Sequence, residues 1–341
     1  MTVIVNNTGV SDGLFRALSV DNYSRGEADI SVTQLISPPR IVTLHERHDA
    51  EIEEEASDVI YRMFGKIVHE ILEAEKLTLA GDNHEYRNRN INEVMQRFIK
   101  NELPLESLSE AISKAIAEAD AQKVLEEHEL LFEHRMFVSD LNGWTLSGSA
   151  DHLNLRDQSI HDYKVCSRWK ANDSDFTEWT AQQNVYIWLA HRNGITIKTA
   201  AIEGIFRDWT KTAAYRDKEY PQAQTQIFPI EVWPLDKTEQ YINERIHLHQ
   251  EARKMDDEIL PMCSSEERWV TLGKFAVEKK GRKSAIRLLD SHADAEQWIK
   301  EHIKDGEVLS IVRREGDSTR CRHYCPVWKF CEYGRYIHKG M

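Results

Sequence analysis

The stretch GSADHLNLRDQSIHDYKVC, residues 148–166, decides the fold. GSADHLNL (148–155) and SIHDYKVC (159–166) are strand-like runs, and Arg156-Asp157-Gln158 separates them as a turn. Just upstream, ELLFEHRMFV (129–138) and the opening of WTLSGSADHLNL (144–155) flank DLNG (140–143), a second turn. The three runs predict an antiparallel meander. Side chains two apart on a strand share a face. Asp162 and Lys164 therefore look the same way, with Asp151 arriving from the adjacent strand.

Working outward, the period changes. From Ser57, apolar residues fall at Ile60, Met63, Phe64, Ile67, Val68, Ile71 and Leu72, the spacing of an amphipathic helix. Further helices are expected at 91–101 and 107–127, separated by Pro104. Downstream, a helix at about 176–192 ends at Asn193-Gly194 and leads to a strand at 199–206. A strand at 226–233, a helix at 236–255 and a small strand–strand–helix–strand unit within 268–320 follow. Residues 1–30 read as an extended or poorly ordered lead-in, and SVTQLISPPR (31–40) as a short helix stopped by Pro38-Pro39. The expected segments are a lead-in over 1–56, a core over 57–260 and a C-terminal module over 261–341.

With 341 residues, 41% of them hydrophobic, the chain can bury a proper core. No window approaches the ~18 apolar residues of a membrane span, and the first twenty residues lack a basic, apolar leader. This predicts a cytoplasmic protein without a membrane partner. A net charge of −13 argues against indiscriminate coating of nucleic acid. The distribution is uneven, however: from Arg268 onward sixteen Lys/Arg face ten Asp/Glu, with KKGRK (279–283) the densest run.

Hydrolysing a phosphodiester calls for a divalent cation on hard oxygen ligands, a water activated by it, and a positive charge near the phosphorus. Asp151, Asp162 and Lys164 match those needs. The alternative is an ordinary polar hairpin with an Asp–Lys pair. Two flanks bear on the choice. His69, in GKIVHEILE (65–73), borders the apolar stripe of its helix and leans over Gly65, which has no side chain to obstruct it. Gln182 and Tyr186 lie four apart on one helical face, where both can reach a phosphate or orient the lysine. Glu133, on the preceding strand, reads as a surface carboxylate, with an additional site acid as the alternative.

In this order, GxxxHE on a helix (Gly65, His69, Glu70), D…DxK across two strands (Asp151, Asp162, Lys164) and QxxxY on the next helix (Gln182, Tyr186) resemble the RecB/Cas4-like branch of the PD-(D/E)XK nuclease superfamily. The resemblance covers roughly residues 57–206. It implies an α/β fold with a restriction-endonuclease-like αβββαβ core, a helical N-terminal part and a small α+β, cysteine-rich C-terminal module. It also implies that His69, Asp151, Asp162 and the Tyr163 carbonyl bind Mg²⁺ or Mn²⁺, that Lys164 assists the attacking water, and that Gln182 and Tyr186 contact DNA. Ala150 stands where the family often has proline, which removes no functional group.

Three of the five cysteines cluster in CRHYCPVWKFC: Cys321, Cys325 and Cys331. Cys263 is the natural fourth ligand of a metal site, and Cys166 reads as a small core thiol. The Cys325–Cys331 spacing resembles the terminal trio of iron–sulfur nucleases of this branch, which implies a [4Fe–4S] cluster, with Zn²⁺ or no metal as the alternatives. The first pair departs from that pattern in being Cx3C, and no cysteine precedes the His69 helix. Residues 263–331 also resemble the C-terminal part of phage-encoded nucleases of the superfamily; the basic run reads as a DNA guide through Lys279, Lys280, Arg282 and Lys283, with a structural appendage as the alternative.

The expected function is a metal-dependent DNA exonuclease of recombination, replication or repair, of phage origin, with DNA as partner and a single-strand-binding or recombination protein as a candidate second one. The alternatives are a catalytically silent DNA-binding subunit of the same fold and a structure-specific endonuclease. No GxxxxGK[ST] occurs, so the sequence carries no nucleotide-driven motor signature.

Overall fold

The structure, a computed structural model, describes residues 2–19, 26–80, 94–97, 100, 107, 111–115, 130–172, 175–279, 281–282, 284–304 and 307–339. Most of the two helices expected over 91–101 and 107–127 lies outside the described residues; 94–97 and 111–115 are helical. The chain divides into two compact units. One comprises Met1–Val3, Ser37–Glu54 and His249–Met341, the other Ile4–Ile36 and Glu55–Leu248. The three expected segments differ from this division chiefly at the N-terminus, where residues 1–56 are shared between the units.

The larger unit is built on a mixed sheet. Its elements, in chain order, are β1 (Ile30–Ser31), α1 (Val32–Ile36), α2 (Ile60–Ala80), β2 (Leu130–Leu141), β3 (Trp144–Asn154), β4 (Ser159–Cys166), α3 (Thr177–Arg192), β5 (Thr199–Phe206) and β6 (Thr225–Ile230). The strand order is β1-β3-β4-β5-β6, with β2 also paired to β3. The meander β2-β3-β4 is antiparallel as expected, and β5 runs parallel to β4 after the α3 crossover. Helix, three strands, helix, strand is therefore the observed order.

The interior helix α3 holds the core together: all ten residues from Ala181 to Ala190 are buried. It can lie close to β3 because position 148 is glycine; a Cβ there would come within 2.6 Å of the Tyr186 ring and of the Val32 side chain. Asn193-Gly194 ends the helix, with Gly194 in the left-handed region at φ 81°. Cys166 packs partly buried against this core.

Helix α2 forms where the periodicity predicts, yet its apolar stripe is only partly covered. Ile60, Met63 and Val68 are half-buried, while Phe64, Ile67 and Ile71 are exposed. Apolar spacing dictates that a helix forms; how much of the stripe a neighbour covers is a tertiary matter.

The lead-in is more structured than expected. Residues Val3–Val5 are extended and Asp12–Ser19 are helical, and Leu18 is buried with Ala56 and Val59, with Leu14 and Phe15 packed against them. Their apolar spacing is too short to stand out in the sequence, and burial against Val59 stabilises it. Pro38-Pro39 ends α1 as expected but also starts a new helix, Pro39–His48, because proline is tolerated in a first helical turn.

In the smaller unit, β7 (Lys274–Lys279), β8 (Arg287–Leu289), α5 (His292–His302) and β9 (Leu309–Arg314) form the expected strand–strand–helix–strand module, preceded in the chain by α4 (Leu235–Lys254). The sheet order is β8-β7-β9, all antiparallel. Ser291 caps α5, its Oγ accepting the Asp294 N–H at 3.0 Å.

Candidate active site

The site grows from a break in the β3–β4 ladder. Pairing runs Asn154↔Ser159, Leu153↔Ile160 and His152↔His161, then stops. The next rung would set Asp151 against Asp162, two carboxylates that repel in a buried setting. Instead, Asp151 Oδ2 accepts the Tyr163 backbone N–H at 2.9 Å. Both aspartates are buried, at 4% and 2% exposure.

On the other side of β3, Phe132↔His152 and His134↔Ala150 bracket Glu133, which lies opposite Asp151. Glu133 adopts φ 46°, a left-handed conformation unusual for a strand residue with a side chain. Glu133, Asp151 and Asp162 thus form a row across three strands. Helix α2 sets His69 above it, with Nδ1 2.5 Å from Glu133 Oε1 and 3.7 Å from Asp151 Oδ1. Ser149 Oγ donates to Glu133 Oε2 at 3.2 Å. Lys164 Nζ lies 2.8 Å from Asp162 Oδ2.

His69, Glu133 and Asp151 each offer a ligand atom, and these atoms all lie within 4.8 Å of one another. This trio shares His69 and Asp151 with the ligand set implied by the sequence. It adds Glu133, whose side chain is only 17% exposed, so the surface-carboxylate reading of that residue is corrected. It does not include Asp162, which pairs with Lys164, and Tyr163 contributes its N–H to Asp151. Gly65 has open space where a Cβ would be, so nothing from that turn obstructs His69.

The electrostatics describe a site short of positive charge. Burial, and then the neighbouring Asp162, push the Asp151 carboxyl up to about 7, against the opposing pull of His69, Lys164 and the Tyr163 N–H. The hydrogen bond to Glu133 raises His69 above its ordinary range, outweighing burial. Burial works against the charge of Lys164, but Asp162 and Asp151 outweigh it and the net shift is upward, so the ammonium persists at neutral pH. A buried row of carboxylates beside an imidazole, with one of the acids destabilised as an anion, is a donor set suited to Mg²⁺ or Mn²⁺.

Gln182 and Tyr186 are placed otherwise than expected. Both are buried, at 6% and 7% exposure, and the Tyr186 ring packs toward β3 at Gly148. Four-residue spacing put them on one face of α3, and that face packs into the core.

In the smaller unit the four chosen cysteines converge: Cys263, Cys321, Cys325 and Cys331 line one pocket with Arg40, Arg268 and Arg320. Arg40, itself buried, donates from Nε to Cys331 Sγ at 3.2 Å and also hydrogen-bonds the Leu260 carbonyl. Burial pushes the Cys263 thiol up to about 12, with Glu267 and the other thiols adding to it, and burial pushes Cys325 up to about 11. Burial of this kind disfavours the thiolate form, and three guanidinium groups lie along the same pocket. Of the basic run, Lys279 is paired with Glu307 at 2.7 Å and Arg282 Nε donates to Ser284 Oγ; Lys280 and Lys283 lie outside the described residues.

A meander carrying a buried D…DxK pair, crossed by a histidine-bearing helix and followed by a parallel β5, defines a class of nucleic-acid-cleaving folds. A family model described as the PD-(D/E)XK nuclease superfamily matches residues 42–332, and the chain belongs to that superfamily. Among solved structures, one titled "Crystal structure of SSO0001" aligns at 13% identity over 69% of this chain and 82% of its own, with a TM-score of 0.31. No curated protein matches the chain. Among the described residues no helix is long and apolar enough to cross a membrane.

Proposed function

We propose that this member of the nuclease superfamily is a metal-dependent DNA exonuclease. The observation that supports the reading best is the row Glu133–Asp151–Asp162, crossed by His69 and ending at Lys164. His69, Glu133 and Asp151 would hold Mg²⁺ or Mn²⁺. Such an ion, when bound, supplies a Lewis acid for the phosphate and lowers the pKa of a water for attack. Lys164, protonated and held by Asp162, places its positive charge where negative charge develops on the phosphoryl oxygens. Asp162 positions that lysine and adds to the field that draws a cation to Asp151. The full set of charged groups supports an active enzyme over a catalytically silent subunit.

The finer parts of the reading are a role in recombination, replication or repair, phage origin, work in the host cytoplasm, and cooperation with a single-strand-binding or recombination protein. They rest on the RecB/Cas4-like resemblance. In the same reading the cysteine pocket carries a [4Fe–4S] cluster that braces the C-terminal module, with Zn²⁺ as the alternative, and Lys279 and Arg282 help guide DNA over that module.

End dependence supplies the test. With Mn²⁺, end-labelled linear DNA should be degraded progressively from its termini while covalently closed circles survive. Rapid cutting of closed circles would transfer the protein to the endonuclease alternative, and no cutting of either would favour the silent subunit.

The acidity of Asp151 supports a second expectation. Below about pH 7 its carboxyl carries a proton that a metal ion must displace; above it the carboxylate is free. Proton competition at one ligand weakens apparent metal affinity by about tenfold per pH unit below the ligand pKa and leaves it flat above. Titration calorimetry should therefore give Mn²⁺ binding at least about tenfold tighter at pH 8 than at pH 6, because His69, raised by Glu133, must shed its proton as well. Equal affinity at the two pH values would remove Asp151 from the ligand set.

A further inference from the structure

The chain that leaves β4 beyond Lys164 enters a short turn of helix, Arg168–Asn172, and exposes an indole: Trp169 is 66% accessible. The ring is held in place. Arg168 stacks its guanidinium on it, 4.0 Å from the ring centroid, and lies 4.9 Å from the ring of Tyr220 on its own account. Asp208, just past β5, clamps the turn by accepting the Arg168 N–H at 2.6 Å and the Ser167 hydroxyl at 2.7 Å. Tyr220 is tied to the same loop, its hydroxyl accepting the Thr210 N–H at 3.0 Å.

A second aromatic–arginine pair stands at the same strand ends. The Arg207 N–H donates to the Cys166 carbonyl at 3.0 Å, prolonging the β4–β5 pairing, and its guanidinium lies 4.6 Å from the ring of Tyr61 at the start of α2. Tyr61 is 55% exposed and lies two turns before His69 on that helix. Both pairs thus flank the strand that carries Asp162 and Lys164. Trp169 is five positions beyond Lys164, so their Cα atoms are at most ~18 Å apart, within the span of a few nucleotides.

An exposed aromatic ring with an adjacent guanidinium offers a stacking face and a phosphate-seeking cation together. In a duplex the base faces are already stacked on one another; only an unpaired base has a face free to meet an indole. We propose that Trp169, braced by Arg168 and Tyr220 and flanked by the Tyr61–Arg207 pair, is a stacking platform for an unpaired base, so that the site takes single-stranded DNA or a frayed end. The platform's place beside Lys164 rests on the nuclease reading; its capacity to bind a single strand does not.

The test is binding without metal, in chelator, so that cleavage plays no part. A fluorescent short oligodeoxythymidine and a GC-rich, blunt-ended duplex of two annealed strands are titrated against the full-length protein and its Trp169→Ala and Trp169→Phe variants. Loss of one stacking contact should weaken single-strand binding at least about fivefold for Trp169→Ala, while Trp169→Phe, which retains a ring, stays within about twofold of wild type. Duplex affinity should not change. Undiminished single-strand binding by Trp169→Ala, an equal loss for the duplex, or no single-strand binding by the wild type would each overturn the platform. Failure of the nuclease reading would show separately, as absence of cleavage by the wild type with Mn²⁺.

Discussion

Alanine at Lys164 should lower DNA cleavage by at least about 100-fold and leave DNA binding nearly intact, the scale of effect seen when a preorganised charge facing a transition state is removed. The lysine meets the requirement of preorganisation: Nζ is already 2.8 Å from Asp162 Oδ2, and the two aspartates hold it protonated. Asp162→Asn should show a loss of similar size by a different route. It keeps the shape of the side chain but releases Lys164 and weakens the pull on a cation beside Asp151. Single-turnover cleavage with saturating Mn²⁺, set beside DNA affinity measured in chelator, separates the chemical step from binding. Wild-type cleavage by either variant would leave an ordinary polar hairpin where the active centre is proposed.

Cys325→Ser should have the largest effect on the smaller unit. Wild-type protein purified without oxygen is expected to be brown and to contain iron and acid-labile sulfide; the variant should lose both. Because metal ligation contributes directly to folding free energy, its thermal midpoint should also fall by roughly 10 °C. Val327 and Leu260 are buried beside the cysteines with Leu44, Ile52 and Ala252, a small apolar cluster for so long a stretch of chain. Stoichiometric zinc without sulfide in the wild type would assign the pocket to the alternative metal. Absence of both metals, with an unchanged melting temperature for the variant, would make the four thiols plain packing residues.

Several features were legible in the sequence because they depend on local periodicity and local chemistry. The alternating runs around DLNG and RDQ specify the meander, and SIHDYKVC maps onto a strand with the same ends, Ser159–Cys166. The spacing of Asp162 and Lys164 alone puts them on one face, and they do form an ion pair. The cluster Cys321, Cys325 and Cys331 was plain in the sequence, and with Cys263, taken as a fourth, these residues line one pocket. Asn193-Gly194 marks the end of α3 by its own conformational preference.

What the tertiary structure alone decided concerns register and burial. Leu141 pairs with Trp144, but from Val138 backward β2 has slipped by one residue against β3, through a bulge at Ser139-Asp140 where Asp140 takes φ 64°. Without that bulge His134 would lie opposite Asp151; with it, Glu133 does, and an acid joins the row under His69. One extra residue in a strand exchanges the two faces, and nothing in DLNG announces it. Burial acted likewise on α3 and on the turn after β4. A helix with apolar and polar residues intermixed does not reveal whether it is interior, so the spacing of Gln182 and Tyr186 gave no sign that both are buried. Trp169 sits in a polar loop whose exposure only the packing of its neighbours could determine. Local sequence determines which elements form and which side chains share a face, because those depend on a few consecutive dihedral angles. Which faces meet is decided by contacts between residues far apart in the chain, as Glu133 shows by reaching His69 across 64 positions.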